Sequence, residues 1–231
     1  LDDDRLIIKK VGSGTKNMAK GPAMTRTQAI KSIETGIEIF ENELKNGIDI
    51  CGTGEMGIAN TTASSALTAL FTKKPVKTIT GRGCGINDSI LKNKIRVIRN
   101  SLGLNRPDAD DPIDALAKVG GFEIGALAGV ILAASAHKIP VIIDGFISGA
   151  AALIAYTIEP KTVNYMIASH CSVEAGHKHI LKYLKIKPLF DLSLRLGEGT
   201  GAALAMFLAE AGVKILTEMA TFEKAGVSKK E

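Results

Sequence analysis

Glu198 stands inside a glycine-rich turn, and this turn is the first candidate for a reactive site. The turn reads Leu192-Ser193-Leu194-Arg195-Leu196-Gly197-Glu198-Gly199-Thr200-Gly201-Ala202-Ala203 and joins a short apolar run to an Ala/Leu-rich helix. The flanking glycines let a ligand approach the backbone closely. Because a carboxylate repels a phosphate, a turn that only binds phosphate gains nothing from Glu198. We therefore expect Glu198 to pair with a cation or to act as a base; a solvated loop glutamate is the alternative when the turn is taken by itself.

A second glycine-rich turn, Gly52-Thr53-Gly54-Glu55-Met56-Gly57, has the spacing of a dinucleotide-binding fingerprint. That fingerprint also requires an acidic residue about 20 positions further on, to bind the ribose hydroxyls. The corresponding stretch, residues 71–78, contains lysines and no carboxylate. We therefore set a nicotinamide dehydrogenase aside. Glu55 remains a candidate for binding ribose hydroxyls, and Asn60 and Thr61 either cap the following helix or bind the ligand.

Strands and helices alternate along the chain, which predicts a doubly wound α/β fold with a mostly parallel sheet and helices on both faces. The first helix starts at a capping box, Thr25 with Gln28. Strands are predicted over residues 48–51, 140–145, 165–168 and 189–194. Ser172 is predicted to cap a helix over 173–184, and two helical segments are predicted over 201–211 and 213–222. Because the glycine-rich turns follow strands, we expect them to converge at the carboxyl edge of the sheet.

Three regions are expected from this pattern. Residues 1–24 form an irregular amino-terminal segment, residues 25–212 the α/β domain, and residues 213–231 a small helical accessory region. The chain starts at Leu1 and not at Met, and we expect it to be a fragment or a processed form.

Composition narrows the function classes. The chain has 231 residues, 4% aromatic residues and a net charge of +5. Sparse aromatics and dispersed lysines favour small anionic ligands and disfavour nucleic acid. Cys51, Cys84 and Cys171 are odd in number and far apart, which favours reduced thiols in a cytoplasm. No signal peptide is visible, and no apolar run approaches the roughly 18 residues needed to span a membrane.

Several further residues keep two interpretations. Three histidines at positions 170, 177 and 179 suggest a metal. His177 and His179 are two apart on a predicted helix and so point to different faces, and no carboxylate or cysteine completes a set. Asp144 follows a predicted strand and either belongs to a site or caps the following turn. Arg195 either contacts phosphate or pairs with Asp191 or Glu198.

Several motifs resemble the family of nicotinate-nucleotide–dimethylbenzimidazole phosphoribosyltransferases, and they occur in family order from about Asn17 to the end. They are Gly54-Glu55-Met56-Gly57-Ile58-Ala59-Asn60-Thr61-Thr62, Thr80-Gly81-Arg82-Gly83, Gly120-Gly121-Phe122-Glu123-Ile124, Ser169-His170-Cys171-Ser172-Val173-Glu174-Ala175-Gly176-His177, Leu194-Arg195-Leu196-Gly197-Glu198-Gly199-Thr200-Gly201 and Met219-Ala220-Thr221-Phe222. The resemblance implies transfer of the phosphoribosyl group of nicotinate mononucleotide to 5,6-dimethylbenzimidazole, giving α-ribazole 5′-phosphate and nicotinate. It implies a homodimer, no cofactor and no metal.

The resemblance also implies roles for particular residues. Glu198 matches the general base of the family. The remaining substrate-binding positions are Glu55, Gly57, Ile58, Gly83, Lys94, Ser172, Arg195, Leu196 and Gly197. Among them, Lys94 and Ser172 match the family's phosphate contacts.

Two departures from the family pattern qualify this prediction. The family is longer by roughly a hundred amino-terminal residues, which supply part of the benzimidazole pocket, so the alternative is a non-catalytic chain that binds phosphate or nucleotide only. The family usually has Gly where this chain has Ala59, which matters only if φ is positive there.

Overall fold

The computed structural model describes residues 6–83 and 85–226. Residues 1–5, Cys84 and residues 227–231 lie outside the described residues. Within them the helices are α1 (Arg26–Leu44), α2 (Thr61–Thr72), α3 (Val76–Ile79), α4 (Asp88–Asn105), α5 (Pro112–Val119), α6 (Phe122–Ala136), α7 (Phe146–Ile158), α8 (His177–Leu184) and α9 (Thr200–Glu218). The strands are β1 (Cys51–Gly52), β2 (Val141–Ile143) and β3 (Met166–Ala168), and a 3₁₀ helix spans Pro160–Tyr165.

The three strands form a parallel sheet in the order β1-β2-β3. Cys51 pairs with Val141, and Val141 pairs with Met166. Since side chains alternate along a strand, β2 serves two cores at once. Val141 and Ile143 belong to the large core with α6 and α7, whereas Ile142 packs on the other face with Ala202 and Ala205 of α9. Helices therefore cover both faces, and the predicted α/β fold is confirmed.

Helix starts follow the capping residues that the sequence supplies. Thr25 forms its complete capping box with Gln28. The Asn87 side chain accepts from the Ile90 amide at the start of α4, and Asp111 accepts from the Ile113 and Asp114 amides before Pro112. These local bonds satisfy amides that would otherwise lack partners.

Four predicted elements differ from the structure. The strand predicted over residues 48–51 is observed only at Cys51–Gly52. Residues 189–194 contain only an isolated parallel bridge between His170 and Phe190, although single backbone bonds, such as that from the Cys171 amide to the Phe190 carbonyl, join the stretch to its neighbour. Helix α8 begins at His177, later than predicted, and Ser172 stabilises a turn in which its Oγ accepts from the Glu174 amide. The two predicted carboxyl-terminal segments form one continuous helix, α9, and Gly212 lies inside it without a break.

Helix α9 has the length and apolar composition that would suffice to cross a membrane, unlike the sequence expectation. A single helix of this kind is weak evidence, since core helices of soluble proteins meet the same criterion. Its first turns pack on the sheet through Ala202 and Ala205, and beyond them Phe207 and Leu216 are exposed.

Candidate active site

The segments that follow the strands converge on one cleft of about 390 Å³ at the carboxyl edge of the sheet. This is where ligands bind in open parallel α/β sheets. The cleft is lined by Glu55, Met56, Gly57, Ile58, Thr61, Gly83, Asp144, Gly145, Phe146, Ile147, His170, Ser172, Glu174, Arg195, Leu196, Gly197 and Glu198. Nine of the ten predicted site residues are among them, and Lys94 lies in an adjoining depression.

The Glu198 turn has an unusual backbone. Gly197, Glu198 and Gly199 have φ values of +79°, +59° and +74°, so three successive residues are left-handed. Glycine adopts this conformation easily, but a residue with a Cβ does so at a cost. The Glu198 amide donates to the Glu55 carbonyl at 2.8 Å, which ties the two glycine-rich turns together. The turn thus presents the Glu198 carboxylate at the exposed rim of the cleft.

The Glu55 turn is stabilised by its own side chains. Glu55 Oε2 accepts from the Gly57 amide at 2.5 Å and from Asn60 Nδ2 at 2.7 Å. The Asn60 side chain therefore binds Glu55. It does not cap α2, so the capping role considered for Asn60 is wrong. Helix α2 begins only at Thr61, well after Gly57, so the spacing of the dinucleotide fingerprint does not lead directly into a helix.

Lys94 approaches the cleft from behind the Gly83 loop. Its Nζ donates to Thr61 Oγ1 at 2.8 Å and to the Gly81 carbonyl at 3.4 Å. A Cβ built on Gly83 would lie 3.8 Å from this Nζ. The ammonium group is thus fixed next to the amino terminus of α2 and the Gly83 backbone, where positive charge and backbone amides favour an anion.

Ser172 is positioned by a buried histidine. The Ser172 amide donates to His177 Nδ1 at 2.9 Å, and His177 is 1% exposed. Burial lowers the pKa of His177 to about 3, with a further contribution from His170. His177 is therefore neutral at physiological pH, with Nδ1 as an acceptor that fixes the backbone of Ser172.

Asp144 and His170 form a buried polar pair, whereas the sequence analysis treated them as two unrelated residues. Asp144 Oδ1 accepts from the Ala202 amide in the first turn of α9 at 3.0 Å. His170 Nδ1 lies 2.9 Å from Ser169 Oγ and 4.0 Å from Asp144 Oδ1. Asp144 therefore caps α9 and not the turn that follows it. The position of Asp144 directly after β2 was the one feature of the sequence that indicated a site residue.

Arg195 forms no ion pair with Asp191 or Glu198 within the described ranges, so both pairing alternatives are wrong for this structure. Its side chain borders the cleft. In the same part of the chain, no group of three or more His, Cys, Asp or Glu side chains is arranged to bind a metal ion.

A parallel α/β sheet with a cleft at its carboxyl edge, lined by glycine-rich turns, is typical of the class of α/β proteins that bind ligands at this edge. A family model described as phosphoribosyltransferase matches residues 1–227. The chain belongs to this phosphoribosyltransferase family, as the sequence resemblance predicted.

Individual relatives are more specific. The chain is similar to the nicotinate-nucleotide–dimethylbenzimidazole phosphoribosyltransferases of Desulforudis audaxviator and Geotalea uraniireducens, each at 58% identity over 223 and 226 residues. These alignments cover 96% and 98% of this chain but 63% and 64% of the relatives' own length. A crystal structure of CobT from Thermus thermophilus superimposes with a TM-score of 0.94 at 40% identity and covers 100% of this chain and 68% of that one.

Proposed function

We propose that this chain transfers the phosphoribosyl group of nicotinate mononucleotide to 5,6-dimethylbenzimidazole and releases α-ribazole 5′-phosphate and nicotinate. The observation that carries the proposal is the meeting of the Glu198 and Glu55 turns across one cleft, joined by the bond from the Glu198 amide to the Glu55 carbonyl. The printed names of the relatives at 58% identity support the substrate pair.

The phosphate of the nucleotide belongs at the Lys94 end of the cleft. The backbone at Gly57, Ile58 and Gly83 borders the cleft there, and Lys94 supplies positive charge from behind the Gly83 loop. Backbone amides together with a cation stabilise a phosphate dianion. Ser172 lines the same cleft and adds a hydroxyl.

Glu198 acts as the general base at the other end. One imidazole nitrogen of the acceptor attacks the anomeric carbon, a new C–N bond forms, and the electron pair of the old glycosidic bond leaves with nicotinate. The proton on the second imidazole nitrogen passes to the Glu198 carboxylate. The carboxylate also stabilises the positive charge of the oxocarbenium-like transition state. Attack opposite the leaving group converts the β-nucleotide into the α-riboside.

We place this reaction in the cytoplasm, because Cys51 and Cys171 are free thiols, which persist in a reducing compartment. The homodimer implied by the family resemblance stays a prediction, and light scattering coupled to size exclusion tests it.

Turnover of this chain tests the proposal. The chain is incubated with nicotinate mononucleotide and dimethylbenzimidazole, and α-ribazole 5′-phosphate is followed by chromatography while calorimetry measures nucleotide binding. We expect product. Nucleotide binding without product would support the alternative, a chain that binds nucleotide only, and this outcome matters because the chain spans 63–64% of its relatives' length.

Glu198→Gln tests the role of the base. The substitution keeps the size of the side chain but removes its proton affinity, so we expect turnover to fall by about 10²–10⁴-fold while nucleotide affinity and thermal stability stay unchanged. Glu210→Gln is the matched control, since Glu210 lies on the exposed side of α9 and pairs with Lys214. Activity of Glu198→Gln near that of the control would exclude the general-base role.

A further inference from the structure

The floor of the cleft contains two buried polar groups that the phosphate and general-base assignments leave unused. Asp144 is 2% exposed and His170 is 4% exposed, yet both line the cleft. Buried polar atoms are normally hydrogen-bonded, so polar atoms that face a cleft without a protein partner point to a ligand.

The tautomer of His170 follows from its neighbours. Ser169 Oγ donates its only proton to the Asp144 carbonyl at 2.6 Å. The contact of 2.9 Å between Ser169 Oγ and His170 Nδ1 therefore requires that Nδ1 carries a proton and donates. Burial lowers the pKa of His170, opposed by the charges of Asp144 and Asp191, so the ring is neutral and Nε2 is an acceptor.

The orientation of the His170 ring directs Nε2 toward the cleft. The ring stacks on Phe190 with centroids 6.2 Å apart and planes at 13°. Its Nδ1 edge is closed by Gly201, where a Cβ would come within 2.1 Å of Nδ1. On the other edge, a Cβ on Gly145 would lie 3.4 Å from Nε2 and 3.9 Å from the Ser172 Cβ, at ordinary contact distance. A methyl group therefore fits beside Nε2, and Gly145, His170 and Ser172 all line the cleft.

Asp144 adds a second acceptor. Its Oδ1 is used by the Ala202 amide, and Oδ2 has no hydrogen-bond partner among residues 6–83 and 85–226. The amino terminus of α9 stabilises the negative charge of this carboxylate. Both residues line the cleft, and Asp144 Oδ1 lies 4.0 Å from His170 Nδ1. Two acceptors in one cleft repel a phosphate or carboxylate group and match a ligand that offers two O–H donors. Glu55 competes poorly for this role because its Oε2 already binds Gly57 and Asn60.

We propose that Asp144 and His170 form a subsite for a vicinal diol, which in this cleft is the pair of ribose hydroxyls of the bound nucleotide. The identity of the nucleotide rests on the proposed function; the diol chemistry rests on the two acceptors alone. The subsite holds the sugar between the phosphate end of the cleft and Glu198, so that it orients the anomeric carbon.

Two variants test the subsite by different means. Asp144→Asn keeps Oδ1 as the acceptor for the Ala202 amide and replaces the Oδ2 acceptor by an NH₂ donor. Gly145→Ala fills the space beside His170 Nε2 without a steric conflict, and its φ of −132° accepts a side chain. The matched controls are Asp49→Asn, at an exposed carboxylate, and Gly103→Ala, where nothing lies within 4 Å of the added Cβ.

Calorimetry with nicotinate mononucleotide, its 2′-deoxy and 3′-deoxy counterparts, ribose 5-phosphate and inorganic phosphate gives the readout. We expect the native chain to bind the diol ligands about tenfold or more tightly than the deoxy ligands, because each lost hydrogen bond to a charged or buried acceptor weakens binding by about that factor. Asp144→Asn and Gly145→Ala lose this preference but bind inorganic phosphate like the controls.

The outcomes separate the subsite from the proposed function. Equal binding of diol and deoxy nucleotides by the native chain, or a diol preference retained by both folded variants, overturns the subsite and leaves the function standing. Ribose 5-phosphate bound more tightly than inorganic phosphate, without binding of nicotinate mononucleotide, supports the subsite and overturns the function. Absence of binding by every sugar ligand overturns both.

Discussion

At the scale of single residues, the site is built from backbone conformations that most side chains avoid. Glu198 has a φ of +59° and is enclosed by two left-handed glycines, so the turn keeps a carboxylate where glycine would fit more easily. The bond from its amide to Glu55 and the cap from Asp144 to Ala202 support this conformation from both sides. The cost of placing Glu198 here is consistent with a chemical role for its side chain.

Ala59 is another non-glycine residue with a left-handed backbone. Its methyl side chain has no chemical role that would offset the conformational strain. Its φ is +62°, which meets the condition under which its replacement of the family's usual Gly matters. We expect Ala59→Gly to raise the free energy of unfolding by about 0.5–1 kcal/mol, because it removes the Cβ from a left-handed position.

Urea denaturation measures this change. Ala66→Gly is the contrasting control, since Ala66 is buried within α2 and its replacement removes both packing and helix propensity. Equal destabilisation by both substitutions would show that the conformation at Ala59 is not strained.

At the scale of elements, α1 and α6 pack at backbone contact because a glycine of each helix lies against the backbone of the other helix. A Cβ on Gly36 would lie 1.9 Å from the Ala126 carbonyl oxygen, and one on Gly129 would lie 2.0 Å from the Ile33 carbonyl oxygen. Backbone atoms cannot move aside as a flexible side chain can. The two helices must separate if either glycine gains a side chain, and α6 in turn packs on β2 and α7.

Gly129→Ala is therefore expected to lower the free energy of unfolding by about 2–4 kcal/mol, as other over-packed cores do. Gly103→Ala makes the same chemical change within α4, at an exposed position without a neighbour, and should raise it by about 0.5–1 kcal/mol. Thermal unfolding of the two variants gives opposite shifts. An upward shift for both would mean that the lower entropy of the unfolded chain, and not the close contact, decides the effect.

At the scale of the whole molecule, stability is coupled to pH through His177. Its pKa is about 3 in the folded protein and 6.5 when unperturbed, because burial opposes its charge. Between these two values the unfolded chain binds a proton that the folded chain does not. Stability therefore falls as the pH falls below about 6.5, and it is fully present above that value.

Between about pH 7.5 and about pH 5 we expect His177 to account for a loss of about 2 kcal/mol, a figure set by the unperturbed pKa and the 1.36 kcal/mol per pH unit of linkage. Comparison of the native chain with His177→Gln by denaturant unfolding at both pH values isolates this contribution, since the remaining groups titrate in both. If the free energy of unfolding of both proteins fell by the same amount between the two pH values, a group other than His177 would be responsible for the loss of stability in acid.

The sequence by itself determined what depends on short stretches of chain. The caps at Thr25, Asn87 and Asp111, the alternation of strands and helices, and the glycine-rich turns all act within a few residues, and the structure confirms the α/β fold that follows from them. The family motifs added the predicted site residues, and the cleft brings nine of the ten to its walls.

The tertiary structure decided what depends on residues far apart in the chain. Asp144 and Ala202 are 58 positions apart, and their bond shows that Asp144 caps α9 and not its own turn. The stretch at 189–194 has strand-like residues but, among the described residues, finds only one bridge, because a strand requires a neighbour along its whole length. Likewise, the orientation of His170 depends on Ser169, Phe190 and Gly201, which meet only in the folded chain. Spacing along a sequence cannot determine such contacts, because a side chain's partner is set by how the helices and strands pack.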